Sequence, residues 1–154
     1  MSVRRPGPSA RFSASLSRFP PGIVALAKRC LPKLRRAFPG CHELVYDYSK
    51  SLVVAFGMSE RGYEAIVAMA IFPGCVRLYF DKNLPDPKGL LEGTGGKVRS
   101  VVVEAASDLD RGGIRGLIKA AIEHSGATFP RSGSTRMVIK SEPKRRKPKR
   151  TGRA

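Results

Sequence analysis

Two stretches of the chain carry apolar residues at the spacing of an amphipathic helix. In the first, the apolar face consists of Ile23, Ala27, Cys30, Leu31, Leu34 and Phe38. Pro20 and Pro21 suit the first turn of a helix, because a proline has no N–H to leave unpaired there. Pro32 lies inside the pattern, and its missing N–H predicts a kink or a break. The Pro39-Gly40 pair ends the element.

The second stretch predicts a helix near the C-terminal end, with an inward face of Ile114, Leu117, Ile118 and Ala121. Asp110 is its expected N-cap, and Gly126 stands where the helix should end. Gly112, Gly113 and Gly116 weaken its first turns by roughly 1 kcal/mol each relative to alanine. Packing against the rest of the domain must therefore stabilise this helix. Alternatively, the glycines are there because they let the helix approach the sheet closely.

Between the helices, five apolar runs predict β-strands. They cover residues 43–48, 52–58, 63–72, 75–80 and 97–104. Short polar or Pro-Gly links join the first four runs, which favours an antiparallel meander. The third run is apolar at nearly every position, as expected for a central strand. A short helix is predicted to begin at Asp86-Pro87 and to end at Gly93.

These elements predict an α+β fold with a single antiparallel sheet of about five strands and with the N-terminal and C-terminal helices packed on one face. The folded domain is expected to span residues 19–128. Residues 1–18 predict a disordered basic arm, because they lack a regular spacing of bulky apolar residues. Residues 129–154 predict a disordered tail rich in lysine and arginine.

Positive charge is concentrated at the two ends of the chain, whose net charge is +17. Residues 129–154 hold ten Lys/Arg against one Glu, and residues 1–18 hold four Arg and no acidic residue. Residues 19–128 hold fifteen Lys/Arg against eleven Asp/Glu. A nearly balanced domain between basic arms indicates a polyanionic partner.

The densest basic run lies in the tail and consists of Lys144, Arg145, Arg146, Lys147, Lys149 and Arg150. Such residues neutralise phosphates and release counterions, so binding through this run should weaken steeply with salt. No aromatic residue interrupts the run, which favours sequence-independent contact with a nucleic-acid backbone over base stacking. The alternative is a solubilising tail without a partner.

The cysteine content and the hydropathy pattern narrow the cellular location. Cys30, Cys41 and Cys75 are an odd number without paired spacing, which indicates a reducing compartment. No apolar run approaches the roughly 20 residues that span a bilayer, and no secretory signal is recognised. We expect a cytoplasmic protein without a membrane partner. Association with the nucleoid, or a nuclear location in a eukaryote, is the alternative.

Three stretches carry a resemblance to a known family. Residues 43–47 read Glu-Leu-Val-Tyr-Asp, residues 84–95 carry Leu-Pro-Asp-Pro followed by Gly-Leu-Leu and Gly, and residues 109–111 read Leu-Asp-Arg. With these motifs, residues 20–124 resemble the YdhG-like family of small bacterial domains of unknown function. The resemblance implies an α+β fold with one antiparallel sheet and helices on one face, and it implies no reaction.

The same resemblance implies iron binding for the members described as frataxin-like, which use an acidic first helix. Here the first helix is basic and carries Lys28, Arg29, Lys33, Arg35 and Arg36. A cationic face repels iron, which disfavours this role. Cys41 and His42 are adjacent and would point to opposite faces of a strand, so they do not converge as metal ligands must. No metal and no other cofactor is predicted.

A second candidate site lies on the sheet. Glu43 and Asp47 share strand parity, and paired carboxylates serve acid–base chemistry when one is desolvated. The alternative is that they are structural partners of Arg77 and Arg99. The end of the fourth strand should rim a concave sheet face that the helices leave open, where small ligands bind. The candidate ligand-binding residues are Glu43, Tyr46, Asp47, Tyr79 and Lys82.

Three hypotheses follow. The first is a non-enzymatic binding domain whose basic tail associates with nucleic acid or another polyanion, because the chain carries no catalytic motif. The second is a small-molecule-binding protein, or an enzyme, that uses the open face of the sheet. The third is frataxin-like metal binding, against which the basic first helix argues.

Overall fold

A computed structural model of the chain describes residues 6–93, 96–129 and 136–141. The helices in these ranges are α1 (Pro8–Leu16), α2 (Pro21–Ala37) and α3 (Gly112–Ser125). The strands are β1 (His42–Asp47), β2 (Leu52–Gly57), β3 (Ala65–Ile71), β4 (Val76–Asp81), β5 (Val98–Val103) and β6 (Arg136–Ser141). Two 3₁₀-helices, Gly62–Glu64 and Ala106–Asp110, precede β3 and α3.

The strands form one open mixed sheet in the order β5-β4-β3-β2-β1-β6. Strands β1 to β5 pair antiparallel, as the short links predict. Strand β6 pairs parallel to β1, so the prediction of about five strands, all antiparallel, is wrong at this edge. A parallel partner arrives through a long connection and leaves no hairpin signal in the sequence. The α+β class is confirmed.

The core lies between one face of the sheet and the helices. Alternate residues of the strands point to this face, and in the central strands they are Leu52, Val54, Phe56, Val67, Met69 and Ile71. The helices add Phe12, Leu16, Leu31, Leu34, Leu117 and Ile118 to the same cluster. All three helices therefore cover one face of the sheet, and no described helix covers the other.

The folded body extends beyond the predicted limits of 19 and 128. In α1, Phe12 and Leu16 lie one helical turn apart and are only 5% and 1% exposed. The prediction of disorder is therefore wrong for Pro8–Leu16, because a single pair of apolar residues one turn apart was enough to anchor a helix to the core. It is also wrong for Arg136–Ser141, whose short apolar stretch forms β6 beside cationic residues.

Helix α2 runs through Pro32 without interruption, so the predicted break does not occur. Pro32 lies on the exposed side, while Cys30, Leu31 and Leu34 are buried in the core. The packing of this apolar face outweighs the hydrogen bond that the proline removes.

The segment between β4 and β5 is a loop, and the predicted helix after Asp86 does not form. The Asp86 carboxylate instead accepts hydrogen bonds from the N–H groups of Leu90 and Leu91, both at 2.9 Å. Helix α3 begins one residue later than predicted, with Arg111 as its N-cap. Gly126 ends it with a left-handed φ of 70°, as expected for a helix C-cap.

Candidate functional site

Glu43 projects from β1 toward the helices, on the covered face of the sheet. It is fully buried, with 0% of its surface exposed. Arg35 of α2 donates two hydrogen bonds to it, at 2.8 Å from Nε to Oε2 and 2.9 Å from Nη2 to Oε1. This bidentate contact raises the pKa of Arg35. Glu43 therefore fastens α2 to β1.

Asp47 lies on the same face, as its parity with Glu43 predicts, and is 5% exposed. Arg18 donates to it from Nη2 to Oδ1 at 2.8 Å and from Nη1 to Oδ2 at 3.2 Å. The Ser15 hydroxyl also donates to Oδ2. Asp47 therefore fastens α1 to the sheet, and neither carboxylate lies on the open face where a ligand-binding role was predicted.

The predicted partners of these carboxylates make other contacts. Arg77 donates from Nη1 to the Ser100 hydroxyl at 3.0 Å and lies 3.7 Å from Glu92. Arg99 donates from Nη2 to the carbonyl of Leu84 at 2.9 Å. The expectation of structural ion pairs for Glu43 and Asp47 was right in kind, but Arg35 comes from α2 and Arg18 from the link between α1 and α2.

The open face of the sheet carries a trough of about 530 Å³. Its floor contains Ala55 and Ala68, which are paired neighbours on β2 and β3, and Tyr79 follows next across the sheet on β4. Tyr46 and Lys82 also line it. The structure thus brings together three of the five predicted ligand-binding residues, Tyr46, Tyr79 and Lys82. We call this surface the trough.

Tyr46 and Tyr48 form one wall of the trough. Their rings are nearly parallel, with centroids 6.4 Å apart and an interplanar angle of 11°. The link before β3 passes close to this wall, since a Cβ on Gly62 would lie 2.2 Å from the Tyr46 hydroxyl oxygen. Burial, and secondarily the neighbouring Tyr48, raises the pKa of Tyr46. Its hydroxyl therefore keeps its proton at neutral pH and can donate a hydrogen bond.

Two lysines stand together at one end of the trough. The N–H of Lys82 donates to the carbonyl of Lys97 at 3.0 Å, so both side chains start from adjacent backbone positions. Asp81 lines the same end, and its Oδ1 accepts the N–H of Asn83 at 2.8 Å. Among the described residues that line the trough, Asp81 is the only carboxylate, so this end is net cationic.

A second surface lies on the other side of the molecule, between α2 and α3. It is a groove of about 340 Å³ over the end of the 3₁₀-helix Ala106–Asp110. Its charged lining consists of Lys33, Arg36, Arg115 and Asp110. We call it the helical groove. The sequence showed that α2 is basic, but the convergence with α3 depends on how the helices pack.

The helical groove is strongly cationic. Lys33 forms an ion pair with Asp110. The hydrogen bond from Lys33 lowers the pKa of Asp110 against the opposing effect of burial, and the charges of Arg36 and Arg115 lower it further. One carboxylate therefore lies in the field of three cations. No other carboxylate is found among the described residues of this lining.

Two of the three cysteines, Cys30 and Cys41, are buried in the core. Burial raises the pKa of both Cys30 and Cys41 to about 11, so both are neutral thiols at physiological pH. The Cys41 sulfur lies 3.7 Å from that of Met58. In the described part of the chain, no three His, Cys, Asp or Glu side chains group as metal ligands would.

The predicted nucleic-acid-binding run lies outside the described residues, and it consists of Lys144, Arg145, Arg146, Lys147, Lys149 and Arg150. No family model, curated protein or solved structure matches this chain. The YdhG-like resemblance therefore stays a prediction. None of the helices in the described ranges has the length and apolar character to cross a membrane.

Proposed function

We propose that this protein binds nucleic acid through sequence-independent contacts with phosphates, and that it does so without enzymatic activity. The observation that carries the proposal is the charge of the helical groove, where Lys33, Arg36 and Arg115 surround a single carboxylate, Asp110. A groove with excess positive charge attracts a polyanion and releases its counterions on binding.

The cations of the groove belong to longer stripes along the two helices. The stripes consist of Arg29, Lys33 and Arg36 on α2, and of Arg111, Arg115 and Lys119 on α3 with its N-cap. Like charges one turn apart destabilise a helix by a few tenths of a kcal/mol per pair. A phosphate backbone lying between the stripes would relieve this repulsion, which supports a polyanion as the occupant.

Three acidic side chains of the domain are buried away from this positive surface. Glu43 and Asp47 are buried beneath the helices, where each neutralises the arginine that holds it. The side chain of Asp86 is 6% exposed and is bound by backbone N–H groups. Negative charge remains beside the stripes on Asp110, which pairs with Lys33, and on Asp108, which lies 3.8 Å from Arg111.

The tail run Lys144–Arg150 contacts further phosphates in this proposed function, because its charge density is the highest in the chain. Neither the helical groove nor the tail run contains an aromatic side chain for base stacking. Both surfaces therefore suit contact with the backbone of either DNA or RNA. A cytoplasmic or nucleoid location fits such a partner.

A salt titration tests this proposal with the full-length chain. Fluorescence anisotropy would measure the affinity for a labelled DNA duplex and a labelled RNA hairpin between roughly 50 and 300 mM NaCl, where each phosphate contact contributes about 0.9 to the slope of log affinity against log salt. We expect Arg36→Gln/Arg115→Gln to reduce that slope by about 2 and to weaken binding to both nucleic acids.

The matched control is Lys50→Gln/Lys140→Gln, which removes the same charge from exposed positions outside the groove. Equal losses of affinity and of slope in the groove variant and in the control would overturn the role of the groove. A second full-length variant, with glutamine at all six positions of the tail run, tests the tail. An unchanged slope in that variant would remove the tail from the proposal.

A second candidate function is the binding of a small molecule in the trough. The pair Glu43 and Asp47 is held on the other face, so the acid–base arrangement considered for an enzyme is not assembled there. Asp81 is the only carboxylate of the described lining, and it accepts a hydrogen bond from a backbone N–H. These contacts favour binding over catalysis on the open face.

A further inference from the structure

The open face of the sheet is unusual for a surface that no described helix covers. Such faces normally alternate with the core and carry polar side chains. Here the centre of the face carries Ala55 and Ala68, and alanine is depleted in strands. Small side chains between the taller Tyr46 and Tyr79 leave a depression where polar residues would otherwise stand.

The trough also holds apolar surface without a partner. Among the described residues, three large hydrophobic side chains are notably exposed, and two of them, Tyr48 at 50% and Val98 at 46%, line the trough. Exposed apolar surface that is concentrated in one depression marks a binding site. Tyr48 follows β1 and Val98 begins β5, so this exposed apolar surface lies on two opposite sides of the trough.

The aromatic rings define the kind of ligand. Tyr46 and Tyr48 stand parallel, and Tyr79 lies across the alanine floor. Tyrosine rings favour offset stacking or edge-to-face contact with another ring, and they bind nucleobases in this way regardless of the base. The protonated Tyr46 hydroxyl supplies a hydrogen-bond donor beside them.

The cations at the end of the trough indicate that the ligand also carries negative charge. Lys82 and Lys97 share a backbone hydrogen bond of 3.0 Å, and lysine ammonium groups bind phosphate as flexible point charges. Lys82 follows Tyr79 by three residues, so their backbones are at most about 10 Å apart. It lies in the turn after the end of β4 at Asp81 and lines the trough together with Tyr79. A ribose between a base and its phosphate, together with the flexible lysine side chains, spans this separation.

We propose that the trough is a binding site for a nucleoside phosphate, with the base on the tyrosine-lined floor and the phosphate at Lys82 and Lys97. The site is separate from the helical groove and does not depend on the phosphate-backbone binding proposed above. Its ligand is a free nucleotide or an unpaired nucleotide of a single strand, because both present the same base and phosphate.

Isothermal titration calorimetry of the full-length protein with three ligands tests whether the base and the phosphate bind to separate parts of the site. AMP carries the base and the phosphate, adenosine carries the base alone, and ribose 5-phosphate carries the phosphate alone. We expect AMP to bind at least tenfold more tightly than either fragment. Failure of AMP to bind at millimolar concentration, or ribose 5-phosphate binding as tightly as AMP, would overturn the proposal.

Two variants assign the parts of the site. Tyr79→Leu should weaken AMP and adenosine by a similar factor of about ten, the effect of removing one stacking ring. Lys82→Gln/Lys97→Gln should weaken AMP about tenfold and leave adenosine unchanged. The groove variant Arg36→Gln/Arg115→Gln is the control and should bind AMP as the parent protein does. Circular dichroism of each variant verifies the fold.

Chemical shifts of the alanine methyl groups locate the ligand directly. AMP should perturb Ala55 and Ala68 and leave the methyl groups of α3 unaffected. Perturbations confined to the helices would overturn the assignment even if AMP binds. A single-stranded hexamer of deoxyadenylate distinguishes the two sources. Because the hexamer can also contact the helical groove, its affinity is compared between the parent protein and Tyr79→Leu. A loss of affinity in Tyr79→Leu indicates a nucleotide within a strand, and an unchanged affinity indicates a free nucleotide.

Discussion

Arg35 supplies the positive charge that compensates the buried carboxylate of Glu43. Removal of one partner of a buried ion pair leaves an uncompensated charge and costs several kcal/mol. The Arg35 side chain is 41% exposed, so water reaches part of this pair and reduces the cost. We expect Arg35→Ala to lower the free energy of unfolding by about 2 kcal/mol in urea titrations.

The control for this substitution is Arg29→Ala, an exposed cation on the same helix. It should change the free energy of unfolding by less than about 0.5 kcal/mol. The double substitution Arg35→Met/Glu43→Leu should recover most of the loss, because it removes both charges together. A large loss in Arg29→Ala, or no recovery in the double variant, would contradict this account.

The glycines of α3 differ in what surrounds them. A Cβ on Gly113 would lie 2.8 Å from a side-chain carbon of Leu90, while a Cβ on Gly116 would meet nothing within 4 Å. The close approach predicted for these glycines is therefore made by the loop before β5 and not by the sheet. Of these two positions, only 113 has a neighbour that must shift to admit a methyl group.

We expect Gly116→Ala to raise the free energy of unfolding by up to about 1 kcal/mol, the helix propensity difference. Gly113→Ala should gain less or lose stability, because Leu90 must shift to admit the new methyl group. Thermal unfolding followed by circular dichroism measures both variants under identical conditions. A larger gain at position 113 than at position 116 would be inconsistent with the packing described.

The sequence predicted which strand residues share a face of the sheet, but it did not predict which residues form ion pairs with them. The two-residue period placed Glu43 and Asp47 on one face, and the structure agrees. Which face the helices cover, and which arginines reach the carboxylates, depended on contacts with Arg18 and Arg35 from other elements. Side-chain periodicity is local, but ion pairing across the core is set by the packing of whole helices.

The Asp86 carboxylate stabilises the loop between β4 and β5 by accepting hydrogen bonds from its backbone. Burial acts to raise the pKa of Asp86, but hydrogen bonds from the N–H groups of Leu91 and Leu90 and the nearby charge of Arg99 outweigh it and lower the pKa. A lowered pKa stabilises the folded state above the unfolded value of about 3.9. This stabilisation is lost as the pH falls through the lowered folded value.

We therefore expect Asp86→Asn to destabilise the protein at neutral pH by about 1 kcal/mol, typical of a lost backbone cap. The difference from the parent protein should shrink as the pH falls below about 4. Urea titrations at a series of pH values measure it. Glu123→Gln, at an exposed site on α3, is the control. A difference that stays constant down to about pH 2 would contradict the assignment of this carboxylate.

Among the helices and strands, those with a strong local sequence pattern were predicted correctly, and those that depend on long-range contacts were missed. The meander β1 to β4 follows from short links and alternating apolar residues, and both ends of α2 follow from its flanking prolines and glycine. Strand β6 depends on a parallel contact with β1, and α1 depends on the burial of Phe12 and Leu16. Neither contact has a counterpart in the local pattern.

At the scale of the whole molecule, composition predicted an excess of positive charge but not its arrangement in space. The nearly balanced charge of the middle of the chain concealed the helical groove, because a sum over the sequence does not show that Lys33, Arg36 and Arg115 converge between α2 and α3. Similarly, Tyr46, Tyr48 and Tyr79 are distributed along the sequence and meet in the trough only when β1 to β4 pair. Both candidate surfaces result from folding.

These two surfaces lie on opposite sides of one sheet, with the hydrophobic core between the sheet and the helices. Sites that are well separated and share no contacting residues contribute additively. We therefore expect saturating AMP to change the affinity for duplex DNA by less than about twofold, within the scatter expected for independent sites. Anisotropy titrations of labelled duplex, with and without AMP, measure this at fixed ionic strength.

The variants provide the complementary measurement. Tyr79→Leu should leave the affinity for duplex DNA unchanged, and Arg36→Gln/Arg115→Gln should leave the affinity for AMP unchanged. Competition between AMP and duplex DNA would instead mean that both ligands occupy the same cationic surface. The assignment of the base to the trough would then fail, because Lys82 and Lys97 at the end of the trough are separated from the helical groove by the sheet and the core.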